Sequence, residues 1–268
     1  MDGLSLKDRY GDWALVAGAS EGLGAAWARG LASAGFNVVV VAMDREPLER
    51  VAAGIRSDFA VDARVEVLDL TAPELASRMA ALDAELDIGV AVYNASFSPI
   101  GPFLEVPLED KLQALDVNAR GPLIWSDVLG RRMAGRGRGA LVLMSSLAGF
   151  IGSALVATYA ATKAFDTVLG EGLWEELRRS AVDVMVVAPG TIRTPTITKS
   201  TPADKLAKLL PMEPEDVVRE ALGRLARRSG PTIIPGRFNR WSRQVFGRLL
   251  SRRATVRIYS DRIRSTYG

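Results

Sequence analysis

The sequence predicts an α/β chain built on a doubly wound parallel β-sheet with helices on both faces. Two observations carry this. Seven short, β-branched, nearly continuous apolar runs have the pattern of strands buried on both sides, and between them lie helix-length segments whose apolar residues recur about every 3.6 positions. In such a sheet ligands bind beyond the carboxyl ends of the strands, so the residues closing each run are where chemistry is to be sought.

The elements follow in order. "WALVAGAS" (13–20) precedes a helix over 23–34, "NVVVVAM" (37–43) a helix over 46–57, and "ARVEVLDL" (63–70) a helix over 72–86. "IGVAVYNAS" (88–96) leads to a long helix over 108–134, "GALVLMSS" (139–146) to a helix over 157–179, and "VDVMVVAPG" (182–190) to a helix over 214–228; "PTIIPG" (231–236) closes the series. The alternation argues for right-handed crossovers in one parallel sheet. No internal repeat or linker interrupts it, so residues 1–236 are expected to form a single Rossmann-type domain and residues 237–268 a basic amphipathic extension.

Composition narrows the chemistry. The 268 residues are 48% hydrophobic and 24% charged, an ordinary globular balance, and suffice for one sizeable core. Cysteine and histidine are both absent, which removes disulfides, thiolate metal sites and the usual general base; no metal is expected, and acid/base work falls to Tyr, Lys, Asp or Glu. The N-terminal "MDGLSLKDRYGDW" is polar, and no apolar run approaches the roughly 20 residues that span a bilayer, so the expected compartment is the cytosol.

Two stretches carry chemistry. In "AGASEGLG" the glycines Gly18, Gly22 and Gly24 sit at the first strand-to-helix turn, where they permit a tight turn and let backbone N–H groups approach a pyrophosphate at a helix N-terminus. In "ATYAATK" Tyr159 and Lys163 lie four apart on one helix face. An ammonium near a phenol stabilises the phenolate and lowers its pKa, so the pair is an acid/base catalyst that needs no histidine.

The glycine turn, Asn94-Ala95 closing the fourth strand, Asn118 in the long helix, Ser146 closing the fifth, Tyr159-x-x-x-Lys163 and Pro189-Gly190 together resemble the short-chain dehydrogenase/reductase family, up to about residue 235. The resemblance implies an NAD(P)(H)-dependent oxidoreductase interconverting a ketone and a secondary alcohol, with Asn118, Ser146, Tyr159 and Lys163 as catalytic residues. Tyr159 would pass the proton, Ser146 would hold the carbonyl oxygen, Lys163 would also hold the nicotinamide ribose, and Asn118 would support a water relay from Lys163 to solvent. Ser146 is preferred to Ser145 because the family's serine lies 13 residues before its tyrosine. Cofactor contacts are expected from Gly18, Ser20, Glu21, Gly22, Leu23, Gly24, Met43, Arg45, Asp69, Leu70, Asn94, Ala95, Ser96, Tyr159, Lys163, Pro189, Gly190, Ile192 and Thr194. Asp44 and Arg45 after the second strand signal NAD and NADP respectively; Arg45 tips the expectation to NADP(H) over NAD(H). Departures from the family pattern are Ala17 for threonine, Tyr93 for asparagine and Ser96 for glycine.

Phe97, Ile100, Phe103, Phe150, Ile151, Leu155 and Val156 are expected to make an apolar pocket for a steroid, fatty-acyl or similar hydrophobic substrate, under a mobile lid over 194–211. Residues 224–268 hold 12 arginines and one acid, Asp261, while the rest of the chain is net acidic. From 238 to 250, Phe238, Trp241, Val245, Phe246, Leu249 and Leu250 recur at helical spacing among Arg237, Arg240, Arg243 and Arg248. That apolar face is expected to pack on the body or on a sister subunit in a homo-oligomer, with peripheral contact to an anionic membrane as the other use; no recognition motif points to nucleic acid. The rival readings of the chain are a non-catalytic cofactor sensor and a membrane-surface scaffold.

Overall fold

The computed structural model describes residues 4–267, apart from the side chains of Ser200, Lys208 and residues 246–248, so Phe246 and Arg248 of the expected amphipathic face lie outside the described residues. Each apolar run forms a strand: β1 (Trp13–Ala17), β2 (Asn37–Ala42), β3 (Ala63–Val67), β4 (Ile88–Tyr93), β5 (Gly139–Met144), β6 (Val182–Val187) and β7 (Thr232–Ile233). They pair in parallel in the order β3-β2-β1-β4-β5-β6-β7. The order reverses between β1 and β4, and the crevice above that reversal is where a ligand is received.

Alternation along the strands explains why the runs are apolar throughout. Ala14 and Val16 of β1 and Val38 and Val40 of β2 face one core, and Leu15, Ala17, Val39 and Val41 face the other. The first core is covered by α2 (Gly22–Ser33), α3 (Arg45–Asp58) and α10 (Pro214–Ala226), with Trp27, Leu48 and Val217 among its residues. The second is covered by α4 (Leu75–Leu86), α6 (Gly121–Arg136) and α7 (Ala157–Leu177), through Met79, Trp125, Leu129 and partly buried Leu173. A short α1 (Leu6–Tyr10) precedes β1, capped by Ser5 and Asp8 in a reciprocal capping box.

Three elements differ from the sequence expectation. The helix over 108–134 is divided: α5 (Leu108–Leu115) passes into a π-turn over Asp116–Arg120 before α6 begins with Pro122 in its first turn. The segment 194–211, expected as a lid without assigned secondary structure, holds two short helices, α8 (Pro195–Ser200) capped by Thr194 and α9 (Ala203–Lys208) following Pro202. The C-terminal extension holds two helices, α11 (Arg237–Leu249) and α12 (Arg252–Tyr267). The second has weak apolar periodicity, and its contacts with the body explain why it orders: Ser260 accepts from the Ala154 N–H at 3.0 Å, and Arg252 and Arg262 donate to the carbonyls of Phe150 and Leu209. Among the described residues no helix is long and apolar enough to cross a membrane.

Candidate active site

The expected residues converge at the carboxyl edge of the sheet. At the end of β1 the backbone of Gly18 has φ +72°, and Gly22 has φ +54°, both in the left-handed region that glycine adopts without strain. Gly24 is required for a different reason: a Cβ there would stand 1.8 Å from the Gly18 carbonyl oxygen and 2.7 Å from Asn94 Nδ2. Asn94 in turn donates to the Gly18 carbonyl at 3.1 Å, and Ala95 packs against the face of Gly18 where a Cβ would fall. The turn and the end of β4 thus clamp one another and leave a backbone cradle at the N-terminus of α2, with Ser20 half-buried in the turn and Leu23 buried in the first core. That cradle fits a dinucleotide pyrophosphate.

The neighbouring strand ends extend the cradle. Met43, Asp44, Arg45, Glu46, Pro47 and Val67 line an open cavity of about 510 Å³ beyond β2 and β3. Arg45 opens α3 and pairs with Glu49 at 3.3 Å, both side chains exposed. Asp69 accepts from the N–H and hydroxyl of Thr71, each at 2.8 Å, which fixes the turn after β3, and Leu70 is buried in the second core. On the other side, Pro189 is buried, Gly190 lies against Asn239 of α11, and Ile192 bridges to Met212. Thr194 caps α8, its Oγ1 accepting from the Ile197 N–H at 3.4 Å, and Glu21 at the glycine turn accepts from Thr196 of α8 at 2.7 Å. The glycine turn and α8 therefore touch directly. Ser96 is exposed beside this cradle.

Asn118 is fully buried at the centre of the π-turn. Its Oδ1 accepts from the Phe97 N–H at 2.8 Å, and its Nδ2 donates to the Phe97 carbonyl at 2.7 Å and to Thr162 Oγ1 at 3.1 Å. Both amide protons are thus committed to holding the loop after β4 onto α7. The side chain is a clamp, and any relay through this residue passes by its backbone, where the π-turn opens the helical ladder. Tyr93 accounts for its own departure from the family pattern: its hydroxyl donates to the Val117 carbonyl at 2.6 Å inside the π-turn, and its ring meets Trp125 edge-on at 5.5 Å.

At the end of β5 the two serines divide their work. Ser145 is buried, donating to the Lys163 carbonyl at 2.7 Å and lying 2.7 Å from Thr167 Oγ1; Ser146 is half-buried, and its Oγ accepts only a local 3.2 Å bond from the Ala148 N–H. Ser146 therefore retains a hydroxyl proton for a ligand. Tyr159 is half-buried on the first turn of α7. Lys163 is buried, and its Nζ lies 6.0 Å from the Tyr159 ring centroid. That ammonium donates to the Met144 carbonyl at 2.8 Å and to Asp166 at 3.0 Å.

Asp166 was not singled out from the sequence. It is buried, and burial pushes its carboxyl up to about 6 against the counter-pull of Lys163. The signal that could have found it is a carboxylate three positions after the lysine, on the same buried face of α7.

The expected pocket residues fall into three groups. Ile151 and Val156 are buried, while Ile100 and Phe103 are exposed, Phe103 beneath the Lys111 ammonium at 4.3 Å. Phe97 and Leu155 are half-buried, and the Leu155 carbonyl accepts from the Gly101 N–H at 2.9 Å, joining the two loops. Phe150 faces α11, with the Arg243 guanidinium 4.6 Å from its ring centre. The aromatic ring expected at the pocket is thus engaged by the extension. At the far end of α12, burial pushes the Tyr267 phenol up, against a lowering hydrogen bond with Thr201, and the charge of Tyr159 adds to the rise.

Comparison with known proteins agrees with this geometry. A model of the short chain dehydrogenase family matches residues 12–205. The 7beta-hydroxysteroid dehydrogenase of Clostridium sardiniense is 33% identical over 240 residues, covering 88% of this chain and 90% of that protein. A solved 7beta-hydroxysteroid dehydrogenase structure, 29% identical, superposes with a TM-score of 0.89 over 95% of this chain and 99% of the other. A solved short-chain dehydrogenase from Sphingobium yanoikuyae in complex with NADPH, 30% identical, does so with a TM-score of 0.77 over 90% and 96% of the two chains. The chain belongs to the short chain dehydrogenase family, as an oxidoreductase that uses a nicotinamide cofactor to interconvert a ketone and a secondary alcohol.

Proposed function

We propose that the enzyme reduces, and in reverse oxidises, a single carbonyl position on a steroid-like lipophilic molecule, with NADP(H) preferred to NAD(H). What supports this is the likeness over nearly the whole chain to 7beta-hydroxysteroid dehydrogenases, together with Lys163 reaching from α7 to the Met144 carbonyl, two residues before Ser146, with the Tyr159 ring 6.0 Å from its ammonium. The half-buried Phe97 and Leu155 supply apolar surface, as a hydrophobic substrate requires.

The roles of the residues follow from their chemistry. The nicotinamide cofactor, when bound, supplies or accepts the hydride. Gly18, Gly22 and Gly24 would receive its pyrophosphate at α2, Arg45 would face a ribose 2′-phosphate, Asn94, Ala95 and Ser96 would line the crevice, and Ile192 and Thr194 would hold the carboxamide end. Ser146 donates a hydrogen bond to the substrate oxygen, which strengthens as negative charge develops there. Tyr159 gives its phenolic proton to that oxygen in reduction and takes it back in oxidation. Lys163 favours the phenolate through its charge, and Asn118 keeps the loop after β4 and the start of α7 in register.

NADP preference rests on Arg45 at the first turn of α3, where the helix dipole also favours an anion, and on the similarity to a chain that binds NADPH. Self-association belongs to the same reading: Leu108, Leu112 and Leu115 of α5, Leu123 of α6 and Val168 of α7 are exposed and suit a second copy. The division at residue 236 and the cytosolic placement are kept with it. A lipid-surface role for the extension has less support, because Arg240 is paired with Glu220 and Arg243 and Arg252 are engaged with the Phe150 turn. Binding of NADPH and NADH is to be measured first, then loss of reduced-nicotinamide absorbance on adding 7-oxosteroids, other ketosteroids and 3-oxoacyl thioesters, with Tyr159→Phe as control. Turnover confined to acyl thioesters would displace the steroid reading, and cofactor binding with no turnover on any ketone would favour a sensor.

A further inference from the structure

The mechanism above leaves without a role the buried carboxylate that pairs with Lys163. Asp166 lies one helical turn after Lys163 on α7, with 2% of its surface exposed. Its Oδ2 accepts from the Lys163 ammonium at 3.0 Å, while its equally buried Oδ1 has no hydrogen-bond partner among the described residues. The other titratable group it acts on is Tyr93 at the end of β4, whose phenol is pushed up first by burial and then by Asp166 and Asp69. A buried ion pair with one oxygen left unsatisfied is a poor stabilising device, since desolvation offsets most of the attraction. Its position, against the ammonium that lies 6.0 Å from the Tyr159 ring, gives it another use.

We propose that Asp166 is a positioning residue of the catalytic apparatus: its carboxylate holds the Lys163 ammonium against the Met144 carbonyl at the end of β5 and tempers the positive charge that faces the Tyr159 ring. A lone ammonium would act on the phenol with its full field. A carboxylate 3.0 Å from the same ammonium turns the charge into a dipole, whose field decays faster over the distance to the Tyr159 ring, 6.0 Å from Nζ. The inference rests on the reading of Tyr159 as the proton donor.

The test uses the cofactor-free protein. The other four tyrosines, Tyr10, Tyr93, Tyr259 and Tyr267, are all pushed up, chiefly by burial, so the phenolate absorbance of the wild type minus that of Tyr159→Phe reports Tyr159. Asp166→Asn is expected to lower the midpoint of that titration by about one pH unit, giving roughly tenfold more phenolate at a given pH. The alkaline limb of ketone reduction is expected to move the same way. A midpoint that stays in place or rises overturns the proposal, because a merely structural aspartate leaves it unmoved. Asp166→Ser serves the same measurement should the asparagine variant not fold. Turnover surviving in Tyr159→Phe would sink the proton-donor reading itself, whereas an inactive Tyr159→Phe with an unmoved midpoint removes only the role of Asp166.

Discussion

Replacing Asn118 by alanine separates the two jobs assigned to that position. The side chain makes three hydrogen bonds, two to the Phe97 backbone and one to Thr162 Oγ1, from a fully buried site. Each contributes about 1 kcal/mol net, and the Phe97 N–H and carbonyl can turn to water at the half-buried loop, so the total is about 3 kcal/mol. For a chain of this size that corresponds to a fall in Tm of roughly 6–12 °C. The backbone carbonyl at 118 survives the substitution, so a relay through the backbone persists in part, while the loop bearing Asn94, Ala95 and Ser96 loses its anchor. The expected pattern in a thermal melt and steady-state assay is a clear fall in Tm, a raised KM for cofactor and a smaller loss of kcat. A Tm within about 1 °C of wild type would refute the clamp. Loss of kcat alone, with Tm and cofactor KM unchanged, would return Asn118 to a purely catalytic role.

Three further outcomes are expected. Gly24→Ala places a Cβ 1.8 Å from the Gly18 carbonyl oxygen, so the glycine turn must open and cofactor affinity fall at least tenfold, measurable by fluorescence titration; retained affinity would mean that the turn yields without cost. Arg45→Ala is expected to raise the KM for NADPH by about tenfold and leave that for NADH nearly unchanged, the modest size reflecting how exposed Arg45 is; an equal effect on both would remove it from the 2′-phosphate. Asp166→Asn changes the pH dependence of stability. The folded carboxyl titrates at about 6 against an ordinary 3.8, so the native state binds the extra proton between those values, and wild type loses stability relative to the variant as pH rises through that window. The change amounts to about 3 kcal/mol at most, read from urea midpoints of the two proteins across the window, and a constant difference would contradict the raised carboxyl.

The alternation of apolar runs and helical spacing settles the number and order of strands and their parallel sense, because burial on both faces imposes that pattern on any sequence that forms such a sheet. The glycine turn and Tyr159-x-x-x-Lys163 are equally legible, since a left-handed φ and a shared helix face are local requirements. What only the tertiary structure decided depends on partners distant in the chain. The π-turn at Asp116–Arg120 is held by Tyr93 from β4 and by Asn118 reaching Phe97 and Thr162, none of which helical periodicity can register. Ser145 and Ser146 are adjacent and chemically identical; the packing of β5 on α7 makes one a buried strut and leaves the other at the cleft. Phe150 reads as pocket lining until Arg243 is found over its ring, and α12 has too weak a periodicity to announce itself before its contacts with residues 150–154 and 209 are formed. Asp166 is the sharpest case. Its spacing from Lys163 is visible in the sequence, but whether a carboxylate at that position meets water or a buried ammonium is a matter of burial, and burial is a property of the assembled sheet and helices.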